Sequence, residues 1–442
     1  MYIGNPNNES AERPSHAVLP PTPTFRPLKI LVHGLNFPPD LIGIAKYSGE
    51  MVSWLAARGH QLRVVTAPPY YPAWRLAPAD RGLRYRTDRF EAAVPVRRCP
   101  IWVPTRPSGL KRLLHLASFA LSSTPALLVD ALRFRPDVIW TVAPALAAVP
   151  GTLLAGRLSG AACWLHVQDL EVDAAFRLGL LRSPRLHRGA LAVEGWLMRR
   201  FQRISSVAPA MVAAIAAKGC PDVSLVRNWV DTGRIVPLER PSPFRDALGI
   251  PADAIVGLYT GVFAAKQGME LVIAAARRLS DRSSADGRPL YFVLAGDGAE
   301  KAAIVAAAAG LERVRFLPLQ PVERLNDLLG LADIHLLPQR AGADDLMLPS
   351  KLTGMLASGR PVLAAAVADR ALAGEVAGCG LVVPPEDLDA FCAGLLTLAD
   401  DPVQRRVLGL AARERALSVW RRDAILEQFE RQLLALADGC PA

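Results

Sequence analysis

The sequence has few cysteines and few aromatic residues, and it lacks several common catalytic patterns. Its six cysteines are scattered, with no CxxC pair and no cluster of histidines beside them, which argues against a zinc site or a disulfide framework. Aromatic residues make up 6% and no recognisable binding module appears, which argues against a nucleic acid partner. The GxSxG, HExxH and Walker A patterns are missing, which weakens the hydrolase, zinc protease and ATPase interpretations.

No secretion signal is recognisable at the start of the chain. Residues 1–27 hold six prolines with Asn, Ser and Glu but no basic segment followed by an apolar core, so we expect a disordered tail and a cytoplasmic protein. Residues 138–156 carry no charge but are interrupted by Pro144, Pro150 and Gly151. A buried strand that turns into a helix explains this run better than a membrane span.

The bulk composition indicates a globular, basic protein. Of its 442 residues, 51% are hydrophobic and 21% charged, and the net charge is +10. A chain of this length is too long for a single domain with one typical hydrophobic core, so we expect two domains. The positive net charge favours an acidic partner. It does not distinguish between nucleic acid, an anionic membrane surface and phosphorylated small molecules.

Short apolar runs, each followed by a longer helical stretch, recur along the chain. This pattern is typical of parallel strands buried on both faces. The predicted strands are 28–33, 61–67, 137–142, 162–167, 203–208 and 223–228 in the first half, and 255–261, 290–296, 314–318, 333–338, 361–366 and 380–385 in the second.

The two sets of strands predict an α/β protein with two doubly wound domains and a ligand cleft between them. A proline-rich stretch near residues 237–251 separates the two sets of strands, and we interpret it as a hinge between the domains. We therefore divide the chain into a tail (1–27), a first domain (28–240), a second domain (241–412) and a helical segment (413–442).

In the first domain, polar residues follow two of the predicted strands. Gly43 and Lys46 lie in the turn and helix after the first strand, where a glycine allows close approach of a ligand. His166 and Asp169 stand in "HVQDLEVDAAF" with Glu171 and Asp173, a segment suited to handling an acceptor hydroxyl. The alternative is that Asp169 or Asp173 only caps the next helix.

In the second domain, "TGVFAAKQGMELVIAA" and "AGDGAE" follow strands in corresponding positions. Lys266 could stabilise a diphosphate, although a solvated surface lysine is an equal alternative. Gly261 and Gly296 mark the strand ends on the nucleotide side, and a third glycine of the NAD fingerprint is missing. Asp387 and Asp389 match a DxD pattern but sit where a helix cap is expected, so we predict no divalent metal and no other cofactor.

Two stretches of the first domain are both basic and apolar. Residues 97–137 hold seven Lys and Arg against two acids, and residues 177–203 hold seven Arg against one acid. Such helices suit contact with an anionic membrane surface. The alternative is that basic residues decorate ordinary core helices.

Five segments in this order resemble retaining glycosyltransferases of family 4 with the GT-B fold, and in detail the colanic-acid-type exopolysaccharide glycosyltransferases. The segments are "GIAKYSGEMVSWLAARGHQLRVVTAPPYYPAW", "QDLEVDAAFRLG", "VRNWVD", "KQGMELVIAA" and "LPSKLTGMLASGRPV". The resemblance extends from about Lys29 to Arg431 and implies that the last helix returns to the first domain.

The resemblance also implies an activity. A hexose or deoxyhexose would move from a nucleoside-diphosphate sugar, with GDP-fucose as a candidate, to a polyprenyl-diphosphate-linked saccharide with retained configuration. The enzyme would act at the inner face of the cytoplasmic membrane. Gly43 would lie near acceptor and donor, Lys266 on the diphosphate, Gly296 around the base, and residues 349–354 near the donor sugar and ribose.

The sequence departs from the family at an acidic pair and at an arginine. Where many relatives have two glutamates, this chain has Leu346 and Gly354, and Val262 stands near the place of an arginine. We expect an active enzyme in which Lys266 and Lys351 supply the positive charge. The ribose would be held by Asp344, Asp345 or the backbone of the turn at Pro349 and Ser350.

The sequence is also compatible with three other functions. A scaffold that binds saccharide or lipid without catalysis would explain the missing acids. A GT-B-type sugar-nucleotide epimerase and an NAD oxidoreductase are the enzymatic alternatives.

Overall fold

A computed structural model describes residues 26–40, 43–71, 73–91, 93–105, 108–144, 146–170, 184–220, 222–342 and 348–439. Within these ranges the chain forms two α/β domains, each built on a largely parallel sheet. The predicted fold class is confirmed. The predicted tail falls almost entirely outside the described residues.

The first domain contains an eight-stranded sheet in the order β3-β4-β2-β1-β5-β6-β7-β8. Its only antiparallel pair among the described strands is β3 with β4. The strands are β1 Lys29–Gly34, β2 Gln61–Thr66, β3 Arg86–Phe90, β4 Val94–Arg98, β5 Val138–Ala143, β6 Ala162–Val167, β7 Arg203–Ser206 and β8 Val223–Leu225. The helices are α1 Gly43–Ala57, α2 Gly109–Phe134, α3 Val149–Ser159, α4 Pro184–Met198 and α5 Pro209–Ala216.

The second domain contains a six-stranded parallel sheet in the order β11-β10-β9-β12-β13-β14. The strands are β9 Ile255–Val262, β10 Leu290–Asp297, β11 Val314–Leu317, β12 Ile334–Pro338, β13 Val362–Ala365 and β14 Gly380–Val383. The helices are α6 Phe244–Ala247, α7 Met269–Arg278, α8 Lys301–Ala307, α9 Leu325–Leu329, α10 Lys351–Ala357, α11 Ala371–Val376, α12 Leu388–Asp400 and α13 Pro402–Val419. A last helix, α14 Arg422–Ala437, follows the second domain.

All twelve predicted strands are present. Most are apolar runs buried on both faces of a sheet, whereas β8 and β11 lie at sheet edges and are half-buried. The sequence interpretation missed the hairpin of β3 and β4. These strands read "RTDRF" and "VPVRR" and lie at the edge of the first sheet, where β3 has no fully buried residue. An edge hairpin needs no apolar run, and so it gives a weak sequence signal. The uncharged run at 138–156 is β5 followed by α3, as predicted.

The chain enters the second domain earlier than the predicted boundary at 240. Val230 and Ile235 already pack with Leu352 and Met355 of α10 in the core of that domain. The predicted boundary at 412 lies inside α13, which packs on α10 up to Trp420. Val226 and Trp229 still pack in the core of the first domain, so apolar contacts place the two crossings at 229–230 and 420–421.

The last helix, α14, returns to the first domain as predicted. Phe429 packs against Trp164, with ring centroids 4.7 Å apart, and belongs to the same apolar core as Leu426 and Leu433. The buried Glu430 carboxylate accepts hydrogen bonds of 2.9 Å from both Arg58 Nε and His60 Nε2. Apolar packing and a buried charge pair thus fix the end of the chain against the first sheet.

One described helix, α2, is long and apolar enough to cross a membrane by length and composition alone. It is also a packed helix of the first domain, since Phe119, Leu127 and Asp130 on its inner face are buried. Core helices pass the same test, so this observation alone does not indicate a membrane span.

Candidate active site

A cleft of about 420 Å³ separates the carboxyl ends of the two sheets and is lined by both domains. The first domain contributes Lys46 and Glu50 of α1. The residues that adjoin the two crossings, 230–235 and 420–422, are called the crossing segments here, and they contribute Val230, Asp231, Arg234, Ile235 and Arg422. The second domain contributes Thr260, Gly261, Ala295, Pro318, Leu319, Gln320, Val322, Leu325, Leu328, Leu329, Lys351, Thr353 and Gly354. A doubly wound sheet binds ligands at this edge, where the strand order reverses between β9 and β12.

Gly261 allows Lys351 to lie against the end of β9. The φ angle of Gly261 is +140°, and a Cβ there would lie 3.4 Å from Lys351 Cδ and 3.6 Å from its Nζ. These distances are ordinary contacts, but any other residue at this φ angle would strain the backbone. The glycine therefore shapes the end of β9, against which Lys351 lies at the cleft.

Lys351 is a half-buried lysine held by two neighbours. Its Nζ donates a 2.6 Å hydrogen bond to Gln267 Oε1 and lies 4.1 Å from the centroid of the Tyr259 ring. Burial, followed by the positive charge of Lys266, lowers the pKa of Lys351 from 10.5 to about 7. The lysine is thus only partly charged near neutral pH, and a bound anion would favour its charged form.

Lys266 lies beside this position on the short 3-10 helix Ala265–Gln267 and is exposed. It does not line the cleft itself, but its charge reaches Lys351, as the pKa shift indicates. Val262, near the place of the family arginine, is 58% exposed. The two lysines therefore form a pair of cations beside the end of β9.

The acid missing from α10 is not replaced on that helix. Thr353 Oγ1 donates to the Ser350 carbonyl at 3.0 Å, and a Cβ at Gly354 would lie 3.3 Å from Leu329 Cδ1. In the described chain, the carboxylates that line the cleft are Glu50 and Asp231. Both come from outside the second sheet.

Glu50 and Asp231 are each held by residues distant in sequence. Glu50 Oε2 accepts a 2.7 Å hydrogen bond from Trp229 Nε1. Asp231 is paired with Arg422 and also accepts hydrogen bonds from the Gly233 and Arg234 backbone at 3.1 and 3.0 Å. These contacts join α1 and the start of α14 to the crossing segment beside the cleft.

Comparisons with known proteins match this architecture. A model of the glycosyl transferase 4-like domain matches residues 43–229, and a model of glycosyl transferases group 1 matches residues 254–401. The chain is 40% identical over 415 residues to the putative colanic acid biosynthesis glycosyl transferase WcaI of Escherichia coli K12, covering 91% of this chain and 98% of WcaI.

The chain belongs to the family 4 glycosyltransferases. Solved structures show the same fold for this glycosyltransferase. Sucrose-phosphate synthase from Thermosynechococcus elongatus superposes with a TM-score of 0.70 at 19% identity, covering 92% of this chain and 99% of that one. The Anabaena protein HepE in complex with UDP and glucose gives a TM-score of 0.64 at 16% identity, with coverages of 92% and 99%. Both support the GT-B architecture of the glycosyltransferase.

The structure brings several predicted site residues of the glycosyltransferase together and separates others. Lys46, Gly261 and Lys351 line the cleft. Pro349 and Ser350 directly precede α10, and Gly43 is the exposed first residue of α1, but these three do not line it. Asp344, Asp345 and Leu346, like Glu171 and Asp173, lie outside the described residues.

Gly296 does not face the cleft of the glycosyltransferase. It is buried in β10, and a Cβ there would lie 1.9 Å from the carbonyl oxygen of Gly261 in β9. The glycine is therefore required for the close approach of two strands rather than for contact with a base. Its neighbour Ala295 lines the cleft instead.

The prediction that His166 follows a strand is wrong. It is the penultimate residue of β6 and is buried, with Nδ1 2.9 Å from Ser205 Oγ and its ring 5.7 Å from Trp140. Burial lowers the pKa of His166 to about 3, so the imidazole is neutral. Asp169 follows the strand and is half-buried. The catalytic roles of His166 and Asp169 stay predictions.

Sequence reasoning missed the contribution of the crossing segments to the glycosyltransferase cleft. Asp231 ends the segment "VRNWVD", which carried part of the resemblance without a role, whereas Arg422 had no sequence signal. It also missed the apolar end of the cleft, formed by residues that follow β11 and by α9. The interpretation of Asp387 as a helix cap was correct, since its Oδ1 accepts a 2.9 Å hydrogen bond from Ala390 N at the start of α12.

Proposed function

We propose that the protein transfers a hexose or deoxyhexose from a nucleoside-diphosphate sugar to a lipid-linked saccharide, with retention of configuration, during synthesis of a colanic-acid-like exopolysaccharide. The similarity to WcaI over nearly the whole chain supports the pathway. GDP-fucose is one candidate donor, and the binding of UDP and glucose by HepE makes a UDP sugar another.

The observation that carries the proposal is the position of Lys351 beside Gly261 at the point where the strand order of the second sheet reverses. Transfer breaks the bond between the anomeric carbon and a diphosphate oxygen and forms a bond to an acceptor hydroxyl, which loses its proton. Negative charge then accumulates on the departing diphosphate. Cations already positioned in the cleft stabilise that charge without reorganisation.

Lys266 and Lys351 together take the place of the lysine and arginine that many relatives use. Lys351 is partly neutral in the free protein because of burial and the nearby charge of Lys266. A diphosphate between the two lysines would remove their mutual repulsion and charge Lys351 fully. We therefore assign both lysines to the diphosphate and expect no metal ion to be needed.

The apolar end of the cleft suits the nucleobase. Leu319, Val322 and Leu325 lie there with Gln320, which can read a base edge through its amide. Glu50 and Asp231 are the cleft carboxylates available for ribose hydroxyls, alongside the earlier candidates Asp344 and Asp345. The saccharide acceptor would approach from the first domain near Gly43, Lys46 and Asp169.

We place the enzyme at the inner face of the cytoplasmic membrane through the outer face of α2. Leu110, Leu113, Leu114 and Leu121 are exposed, and their spacing puts them on one side of the helix. Lys111 and Arg112 are exposed in the same turn of the helix, and Arg112 lies over the Trp74 ring. This leucine stripe with nearby cations suits an anionic lipid surface, where a polyprenyl-linked acceptor would reside.

The test is an assay of the purified full chain with labelled GDP and UDP sugars and a polyprenyl-diphosphate-linked saccharide. We expect labelled lipid product only when donor and acceptor are both present. Conversion of the nucleotide sugar without acceptor would favour the epimerase, and donor binding without any turnover would favour the scaffold. Full turnover by Lys266→Ala would refute the role of that lysine.

A further inference from the structure

A second basic cavity lies in the second domain, away from the cleft. It has a volume of about 410 Å³ and shares no lining residue with the cleft. Asp333 and Pro361 in its wall directly precede β12 and β13. The cavity therefore opens at the amino ends of the strands, whereas Gly261 and the cleft lie at the carboxyl ends.

Four arginines line this cavity: Arg360, Arg405, Arg406 and Arg413. The carboxylate of its described lining, Asp333, is already engaged, because it pairs with Arg245 Nη2 at 2.8 Å and accepts from Val256 N at 2.9 Å. Its charge also acts on Arg405, so the described cavity wall carries four guanidinium groups against one carboxylate.

Two of the four arginines are held by neutral partners. Arg405 donates to the carbonyls of Leu398 and Ala399, and Arg413 donates to the carbonyls of Thr232, Ile235 and Ala357. Carbonyl oxygens orient a guanidinium but do not cancel its charge. Burial is the main cause that lowers the pKa of both groups. For Arg405 the nearby charge of Asp333 opposes this shift most, followed by the smaller effects of Arg288, Asp286 and Asp401.

The other two arginines have unused donors. Arg360 Nε is buried and makes no hydrogen bond with any described residue. Arg406 is exposed, and no hydrogen bond or ion pair to its side chain is found in the described part of the chain. A buried donor without an acceptor is costly, so an oxyanion at this point would relieve both the unpaired group and the repulsion.

We propose that this arginine cavity binds a phosphate group at a site separate from the donor cleft. The planar guanidinium fork matches the oxygens of phosphate and of carboxylate in a bidentate manner, and four clustered arginines favour the more highly charged phosphate group. The phosphate belongs either to a soluble phosphorylated molecule or to a lipid headgroup. The proposal does not depend on the transferase activity.

Calorimetric titration of the full chain with inorganic phosphate tests the site. The lysines of the cleft also attract phosphate, so the titration is repeated with the Lys266→Ala, Lys351→Gln double variant. We expect phosphate binding to persist in that variant and to weaken at least tenfold in the Arg360→Gln, Arg406→Gln double variant. Arg84→Gln, an exposed residue of the first domain, is the matched control and should bind as the wild type does.

The Arg360→Lys variant keeps the charge and should retain most of the binding. The Arg406→Gln single variant changes an exposed side chain, so its loss of affinity cannot be attributed to misfolding. Phosphate binding that vanishes with the cleft lysines, or that is unchanged in the arginine double variant, would overturn the proposal.

Vesicles of phosphatidylglycerol and phosphatidylcholine in equal amounts identify the source of the phosphate. If the arginine double variant sediments less with these vesicles than the wild type does, the site takes a lipid headgroup. If sedimentation is equal while inorganic phosphate still distinguishes the two proteins, the site takes a soluble phosphate.

Discussion

Donor binding should take up a proton at Lys351. The pKa of this lysine is about 7 in the free protein, because of burial and the charge of Lys266. At pH 8 about nine-tenths of a group with that pKa is neutral. A diphosphate beside Lys351 raises its pKa, so the complex holds more protons than the free protein.

The sign of the pH dependence follows from this difference. Below pH 7 the lysine is charged in both states, and it adds no pH dependence to the affinity. Above pH 7 the free protein loses the proton that the complex keeps, so donor affinity falls as pH rises. The fall is at most tenfold per pH unit, or about 1.4 kcal/mol, until the pKa of the complex is reached.

Calorimetry at pH 8 in two buffers with different ionisation enthalpies measures the proton uptake directly. The ligand is the nucleotide sugar that gives the largest thermal shift with the wild type. We expect an uptake approaching one proton and a Kd that rises between pH 7 and pH 9. The Lys351→Gln variant should show weaker binding, no such uptake and a flat profile.

A matched variant separates the role of the two lysines. Lys266→Gln removes the repulsion that helps to lower the pKa of Lys351, so it should reduce the proton uptake without abolishing it. The reasoning fails if the wild type takes up no proton at pH 8, or if Lys351→Gln keeps the wild-type uptake.

Four further outcomes are expected. Lys266→Ala should lower kcat for sugar transfer at least tenfold, as judged by labelled product. Gly296→Ala should cost about 1–3 kcal/mol in urea unfolding because its Cβ would collide with the adjacent strand, whereas Gly374→Ala, with nothing within 4 Å, should be neutral or slightly stabilising. Glu430→Ala should destabilise by about 3 kcal/mol through loss of a buried charge pair. Leu121→Glu should reduce sedimentation with anionic vesicles while sparing transfer to a soluble acceptor; equal sedimentation would argue against the leucine stripe.

The missing acid of α10 need not mean a lost activity. Gly354 and Thr353 offer no free carboxylate, yet the cleft holds Glu50 from α1 and Asp231 from the crossing segment. Replacing each by its amide, with the donor Kd as the readout, would show which one contacts the nucleotide. The sugar transfer proposed here depends more on the two lysines than on an acid in the ribose subsite.

Much of the fold could be predicted because its signals are local. Buried parallel strands such as "LKILVH" and "IVGLYTG" are continuous apolar runs, and short turns and amphipathic helices follow them. The alternation of these runs is sufficient to predict two doubly wound domains. Gly261 was predicted from its place at a strand end, and Lys351 from the segment that resembles the family. The polar edge strands β3 and β4 lacked this signal.

The sequence by itself determined the family, the two sheets and the group of glycines and lysines at the carboxyl ends of the second sheet. Only the tertiary structure decided which groups face one another. His166 is buried because its place in β6 sets it between two neighbouring strands. Glu50 meets Trp229 across 179 positions, and Asp231 meets Arg422 across 191. Such pairs depend on how whole domains pack, and no local pattern of residues encodes them.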